Sequence, residues 1–401
     1  MDIFKKCVKR IQFMIEKMTK ERCSGCSACR SVCPKQAISM LPDKEGFLYP
    51  EVDMEKCVGC NQCVRVCPVL NAKPQSNRVP NAVVCASKEP VLRQKSTSGG
   101  FFAELAHYVL KNGGIVFGVE FDERYLTHHC VIEKEAELSR ICRSKYIQSN
   151  VQDTYWQAGQ YLKSGRLVLF SGTACQIAGL KAYLKKEYEN LITCDVVCRG
   201  VMSPKLWRKY LDELEQKFHS KISYIGFREK KKSFHKSRMV IRFENGKVYA
   251  PSTNVEWISR FFAEGLNLRP SCYQCSFKGY DRASDFTMFD CWNLGRLVDG
   301  ATDDDKGYTN VLLHTEKAAQ YFEKIKSRLK YWPIDAEMAK RYDGIMLENA
   351  VKKPQKRQDF MEKIDTLTVT ELGEKFAPIP MKIKVKEVIK NLLKALHIME
   401  A

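Results

Sequence analysis

Residues 23–34, CSGCSACRSVCP, and residues 57–68, CVGCNQCVRVCP, decide what this chain is built around. Each reads C-x2-C-x2-C-x3-C-P, the spacing that holds [4Fe-4S] cubanes in pairs. Three close cysteines on one tight loop converge on three corners of a cubane. The fourth, before the proline, turns away to the other cluster. This assigns Cys23, Cys26, Cys29 and Cys67 to one cluster, and Cys57, Cys60, Cys63 and Cys33 to the second. Structural zinc sites want paired C-x2-C runs instead of a triple with a distant fourth. A disulfide framework wants a secreted chain, and the expectation here is that no secretory signal is present.

Working outward, residues 21–70 form a two-cluster ferredoxin domain too small to hold a large apolar core, so the clusters are expected to serve as that core. The 401 residues leave room for two or three domains. Eighteen cysteines point to a reducing compartment and metal ligation. The formal charge of +19 suits an acidic or anionic partner. No finger, helix-turn-helix or interleaved aromatic and basic motif speaks for nucleic acid. No run approaches the roughly 18 apolar residues of a membrane span.

Residues 1–20 place Phe4, Cys7, Val8, Ile11, Ile15 and Met18 on one face of a basic amphipathic helix. Residues 71–81, NAKPQSNRVPN, read as a linker. Beyond it, AVVCAS (82–87), GIVFGVEF (114–121), HHCVIE (128–133), RLVLFSG (166–172) and LITCDVVCRG (191–200) read as strands. The helix FFAELAHYVLKNGG, opened by Ser96 to Gly100 and closed by Gly113 and Gly114, lies among them. A second helix, QIAGLKAYLKKEY, follows a turn at Gly172 to Cys175. Alternating strands and helices predict a mixed α/β sheet with ligands at the strand ends. The absence of G-x-G-x-x-G and of a Walker loop argues against nicotinamide and P-loop sites. Cys272 and Cys275 form a lone C-x2-C that needs partners from elsewhere in the fold, and Cys175 and Cys198 stand at strand ends. The triplet Asp303-Asp304-Asp305 reads as a solvated turn.

Ser98-Gly99-Gly100-Phe101, Ser144-Lys145-Tyr146, Gly172-Thr173-Ala174-Cys175-Gln176, Asp195-Val196-Val197-Cys198-Arg199-Gly200, Phe227-Arg228-Glu229-Lys230, Arg269 to Lys278, Asp285 and Trp292 together resemble the beta subunits of deazaflavin (coenzyme F-420) hydrogenases and dehydrogenases. The resemblance implies an α+β chain in which residues 82–350 form a mixed α/β domain with FAD and iron–sulfur. It implies a third [4Fe-4S] cluster on Cys175, Cys198, Cys272 and Cys275, and FAD against Ser98, Gly99, Gly100, Phe101, Ser144, Lys145 and Tyr146, with Lys145 facing its phosphates. Cys7, Cys85, Cys130, Cys142, Cys194 and Cys291 remain as small buried hydrophobes. The chain departs from the family pattern at Ala174, at Arg199 and in Phe289-Asp290-Cys291-Trp292-Asn293, near where flavin or substrate should sit. Relatives with the two-cluster extension and basic tail include many associated with surface-polysaccharide biosynthesis.

Residues 351–401 read as a basic tail. Its last segment has Val385, Val388, Ile389, Leu392, Leu393 and Leu396 on one helical face, with five lysines around it. The expected function is a flavin- and iron–sulfur-dependent oxidoreductase that passes electrons from a low-potential donor, ferredoxin or similar, to a small organic substrate. A deazaflavin dehydrogenase is a variant; an electron-transfer subunit without a substrate site is the alternative. The expected location is the cytoplasm, with the terminal helices read first as packed on the body and alternatively as peripheral contacts with the inner membrane face.

Overall fold

The computed structural model describes residues 15–72, 78–231 and 233–395. Most of the helix read over 1–20, the middle of the linker 71–81, Cys7 and the end of the tail lie outside the described residues. The described part of the first segment is a single 3-10 turn, Ile15–Lys17, with Ile15 buried.

The two cysteine repeats fold alike. Gly25 and Ser27 in the first, and Gly59 and Asn61 in the second, all have positive φ. Two left-handed residues per loop curl each cysteine triple inward, and only then does a short helix begin, Ala28–Val32 or Gln62–Arg65. Between the repeats runs a hairpin of β1 (Ile38–Pro42) and β2 (Leu48–Val52), with Ile38 opposite Val52. Ile15, Ile38, Val52 and Val69 pack against Cys29 and Cys67.

The body is organised on an eight-stranded mixed sheet of β3 (Asn81–Ser87), β4 (Ile115–Phe121), β5 (Thr127–Ile132), β6 (Val168–Thr173), β7 (Leu191–Val196), β11 (Phe286–Cys291), β12 (Tyr308–Leu313) and β13 (Leu329–Ile334). Their order is β13-β3-β12-β11-β7-β6-β4-β5. The central four, β11, β7, β6 and β4, are parallel, and antiparallel strands flank them on both sides. Apolar runs such as Val168 to Phe170 are buried on both faces, as a parallel centre requires. A smaller antiparallel sheet holds β8 (Ile222–Glu229), β9 (Arg238–Phe243) and β10 (Val248–Tyr249).

The α+β class and its mixed sheet match the expectation, and the differences are local. The turn read at Gly172 to Cys175 is absent: β6 runs to Thr173 and the helix Ala174–Leu184 begins at once. The Thr173 N–H donates to Gln176 Oε1 at 3.0 Å, so the strand end caps the helix directly. Residues 351–377, read as the start of a basic tail, instead pack into the body. Helices Arg357–Glu362 and Val369–Phe376 bury Phe360, Leu372 and Phe376 against Trp207, Ile241 and Phe261. The acidic triplet is likewise no free turn. Arg93 grips Asp304 with two 2.7 Å bonds, and His235 Nε2 lies 2.9 Å from Asp303 Oδ2.

The ferredoxin module shares its core with the body. Cys26, Ala28 and Val66 lie in one apolar cluster with Tyr155, Phe170 and Ile177. Arg30 pairs with Asp153 at 2.8 Å. Deeper, Arg357 holds Glu45 in a buried fork, with bonds of 2.8 and 2.5 Å. The last helix, Met381–Ala395, leaves Met381, Val385 and Ile389 exposed. Among the described residues no helix is long and apolar enough to cross a membrane.

Candidate functional site

The thiols of Cys23, Cys26, Cys29 and Cys67 lie within electrostatic reach of one another, the set that the spacing predicts. Burial, reinforced by the neighbouring thiols, pushes Cys26 up to about 12. Cys63 feels Cys60 and Cys57 in the second set. Cys33, Cys57 and Cys63 pack against the same apolar cluster, and the Cys33 sulfur accepts the Ala37 N–H at 3.3 Å. The two sets differ in depth: Cys26, Cys29 and Cys67 are buried, whereas Cys60 is exposed.

A third thiol cluster assembles from distant sequence. Cys175 begins the helix after β6, Cys198 follows β7, and Cys272 and Cys275 lie in and just after the 3-10 turn Pro270–Gln274. The parallel pairing of β6 with β7 brings the first two to one edge of the sheet. Cys175 and Cys272 each feel both Cys198 and Cys275, Cys198 feels Cys275, and a cavity of about 50 Å³ opens among the four. Burial and repulsion push Cys272 up to about 12 and Cys198 to about 11. A crowd of buried thiols that resist ionising is the donor set a positively charged metal core reverses. Among the described residues no three His, Cys, Asp or Glu side chains converge on a point fit for a single ion. Four thiols at one edge of the sheet are the donor type that a cubane takes at its four corners.

The helix Ala174–Leu184 joins the first set to the third. Cys175 and Gly179 are one turn apart on one face. A Cβ on Gly179 would lie 3.0 Å from Cys26 Cβ and 3.1 Å from its sulfur. The missing side chain lets the ferredoxin loop rest on the helix that carries Cys175.

Beyond the third set a cleft of about 390 Å³ opens at the carboxyl ends of the parallel strands. Thr173, Gln176 and Cys198 to Val201 line both cavities. Ser98, Gly100, Phe101, Ser144, Lys145 and Tyr146 all line the cleft. The helix Phe101–Lys111 points its N-terminal turn there, with Gly100 at φ 93 as its cap. Its first N–H groups have no intrahelical partner and suit an anion or a polar ring edge. The volume falls in the range of cofactor sites. The residues therefore fit a flavin-like group, whose diphosphate would take the helix start and whose ring would face the shared wall.

Two expectations change in detail. Gly99 does not itself line the cleft; a Cβ there would lie 2.4 Å from the Cys85 carbonyl and 2.8 Å from the Thr309 nitrogen. Its smallness serves the approach of the loop to the sheet. Lys145 turns its ammonium to the Cys142 and Arg143 carbonyls at 3.1 and 3.4 Å, and burial pulls it down to about 8. Its charge backs the cleft wall instead of projecting into it. Arg199 donates to the Phe262 and Ala263 carbonyls, the former at 3.3 Å. Of the remaining cysteines, Cys85, Cys194 and Cys291 are buried in the sheet, and Cys130 and Cys142 are half-buried. Sequence reasoning gave no role to Glu45, Gln148, Arg269 or Arg357, which tie the module to the body. Arg269 had a signal, a cation just before the lone C-x2-C; the others had none.

Residues 165–337 match the family model for the C-terminal part of the coenzyme F420 hydrogenase/dehydrogenase beta chain, and residues 22–71 match that of the 4Fe-4S dicluster domain. A chain of the xenon-derivatised F420-reducing [NiFe] hydrogenase complex from Methanosarcina barkeri matches at 16% identity and a TM-score of 0.43, covering 75% of this chain and 94% of that one. No curated protein matches. The chain thus joins a stretch that matches a 4Fe-4S dicluster domain to a stretch that matches the C-terminal part of F420 hydrogenase/dehydrogenase beta chains, and is an iron–sulfur electron-transfer protein related to them.

Proposed function

We propose that this protein is a flavin-dependent oxidoreductase that carries electrons from a low-potential donor, through three [4Fe-4S] clusters, to FAD and a small organic substrate. One observation carries the reading: the cysteine sets and the cleft lie in a row. The exposed Cys60 side of the second set is where a donor protein gains closest approach. The buried first set rests on Gly179. The third set shares a wall with the cleft.

FAD, when bound, supplies the conversion of single electrons into a hydride equivalent. The chain's own residues do the rest. Gly100 and the N–H groups at the start of Phe101–Lys111 hold the diphosphate. Ser144 and Tyr146 line the opposite wall. Cys198 to Val201 line both the cysteine cavity and the cleft, so an electron would cross only a few residues between them. A surface-polysaccharide precursor is the substrate class to test first, with the deazaflavin coenzyme as the comparison. The separate reading, an electron-transfer subunit without a substrate site, predicts no flavin.

Protein purified without oxygen tests the proposal. Three cubanes require about twelve irons per chain, together with one FAD. Eight irons with Cys272 and Cys275 open to alkylation would remove the third cluster. Ser144→Trp, which fills the cleft, is expected to lower bound flavin about tenfold and leave iron unchanged. Flavin retained in that variant would move the flavin site elsewhere.

A further inference from the structure

Arg269 lies at the seam between two cysteine sets and is fully buried. Its Nε donates to the Cys23 carbonyl at 2.9 Å and its Nη1 to Gln148 Oε1 at 3.2 Å, while Nη2 lies 3.7 Å from the Cys23 sulfur. Its Cζ sits 4.0 Å from the centre of the Tyr49 ring. On the other side, the Cys272 N–H donates to the Arg269 carbonyl at 2.9 Å, and the Arg269 charge favours the Cys272 thiolate. Gly25 leaves room for this, since a Cβ there would lie 3.0 Å from the guanidinium carbon.

None of these partners is a carboxylate. The contrast is Arg357, also buried at this interface, which Glu45 neutralises. A buried cation without a counter-ion is strongly unfavourable. Among the described residues, the one atom within bonding reach of the guanidinium that would carry negative charge as a cluster ligand is the Cys23 sulfur. A thiolate-bound cubane is net negative, and becomes more so when it takes one electron. The Arg269 charge therefore favours the reduced form.

We propose that Arg269 sets the reduction potential of the cluster on Cys23, Cys26, Cys29 and Cys67, raising it so that an electron arriving from the outer cluster is held facing Cys272. The step is a one-electron transfer: the outer cluster is oxidised, the inner one reduced, and no bond or proton changes. Arg269 acts through charge and position and touches no substrate. The proposal rests on the cluster assignment above, which iron analysis of the unaltered protein tests separately.

The experiment is an anoxic redox titration, followed by electron paramagnetic resonance, of the full chain, of Arg269→Gln and of Arg269→Lys. The cluster on Cys57, Cys60, Cys63 and Cys33 lies beyond the bonding reach of Arg269 and serves as an internal reference. Arg269→Gln is expected to disfavour reduction of the inner cluster about tenfold relative to that reference, or about 59 mV for one electron. Arg269→Lys, which keeps the charge, is expected to stay within about threefold of the unaltered protein on the same scale. An intact glutamine variant with no relative shift overturns the proposal, as does a shift shared by both clusters. If the glutamine variant loses the inner cluster, the lysine variant decides. A retained cluster at near-native potential supports the charge role. Loss of the cluster, or a fall in its potential, makes Arg269 a scaffold and overturns the proposal.

Discussion

Replacing Glu45 with glutamine should loosen the ferredoxin module from the body, by an amount the structure allows to be bounded. The Glu45 carboxylate takes both terminal nitrogens of Arg357, at 2.8 and 2.5 Å. Arg357 also reaches the Leu268 carbonyl at 2.8 Å and the Tyr273 hydroxyl at 3.3 Å. Both side chains are nearly sealed, with 5% of Arg357 and 11% of Glu45 exposed. Glutamine keeps one acceptor but sets an amide N–H against a guanidinium N–H and leaves the cation buried without its counter-ion. Breaking a buried pair in this way costs about 3–5 kcal/mol. Replacing both partners, as Glu45→Gln with Arg357→Met, removes the orphan charge, so the double variant should be destabilised by less than the sum of the two single changes. Anoxic guanidinium unfolding, followed by tryptophan fluorescence and by the visible absorbance of the clusters, measures all three. A Glu45→Gln cost below about 1 kcal/mol, or strictly additive costs, would refute the reasoning, because a solvated pair behaves that way.

Other outcomes follow from the same geometry. Gly179→Leu forces a side chain against Cys26 and should cost about 1–3 kcal/mol by overpacking while slowing reduction of the cleft-side centre; unchanged kinetics by stopped flow would contradict the row of sites. Cys272→Ser should leave both ferredoxin resonance signals intact and block transfer beyond them, and loss of the N-terminal signals alone would show the ligand sets to be wrong. Lys145 is held near 8 against an ordinary 10.5, so between those values the unfolded chain carries a proton that the folded one lacks. Stability therefore gains with pH across that window, and Lys145→Met should flatten the gain in denaturation curves; an unchanged slope would count against its burial. Residues 381–401 hold five lysines beside the exposed Val385 and Ile389, so the full chain should float with anionic vesicles in a salt-sensitive way and lose this on their deletion, each lysine adding about 1 kcal/mol at most.

The parts legible in the sequence are those whose signal is local. The cysteine repeats fix their own loops. Strands such as Val168 to Phe170 announce themselves by unbroken apolar runs, and Gly113 ends the first long helix by its left-handed turn. The third cysteine set was visible as an unpaired C-x2-C and two cysteines at strand ends, but the pairing of β6 with β7 brings Cys175 to Cys198, and the Met202–Leu268 bridge seats the C-x2-C beside them. What stayed hidden depends on partners far away. Helix Arg357–Glu362 is too short and charged to show a period, and Val369–Phe376 repeats Val369, Leu372 and Phe376 at helical spacing over only eight residues, yet both complete the core around Trp207. The acidic triplet looks solvated until Arg93 and His235 are placed beside it. Gly99 looks like a cofactor glycine until the Cys85 carbonyl is seen pressing on it.

The Glu45–Arg357 fork spans 312 residues of chain, and this separation has a consequence for biogenesis. At roughly 5–20 residues per second, a ribosome delivers Arg357 about 15–60 seconds after Glu45. Through that interval the cysteine loops have emerged, while the segment that locks their hairpin in place has not. A cluster inserted in that interval would meet a hairpin whose buried counter-ion has not yet arrived. Arrival of the C-terminal helices then shuts the inner site behind its cargo. Translation itself would time metallation, and a chain truncated before Arg357 would be a trap for half-loaded intermediates.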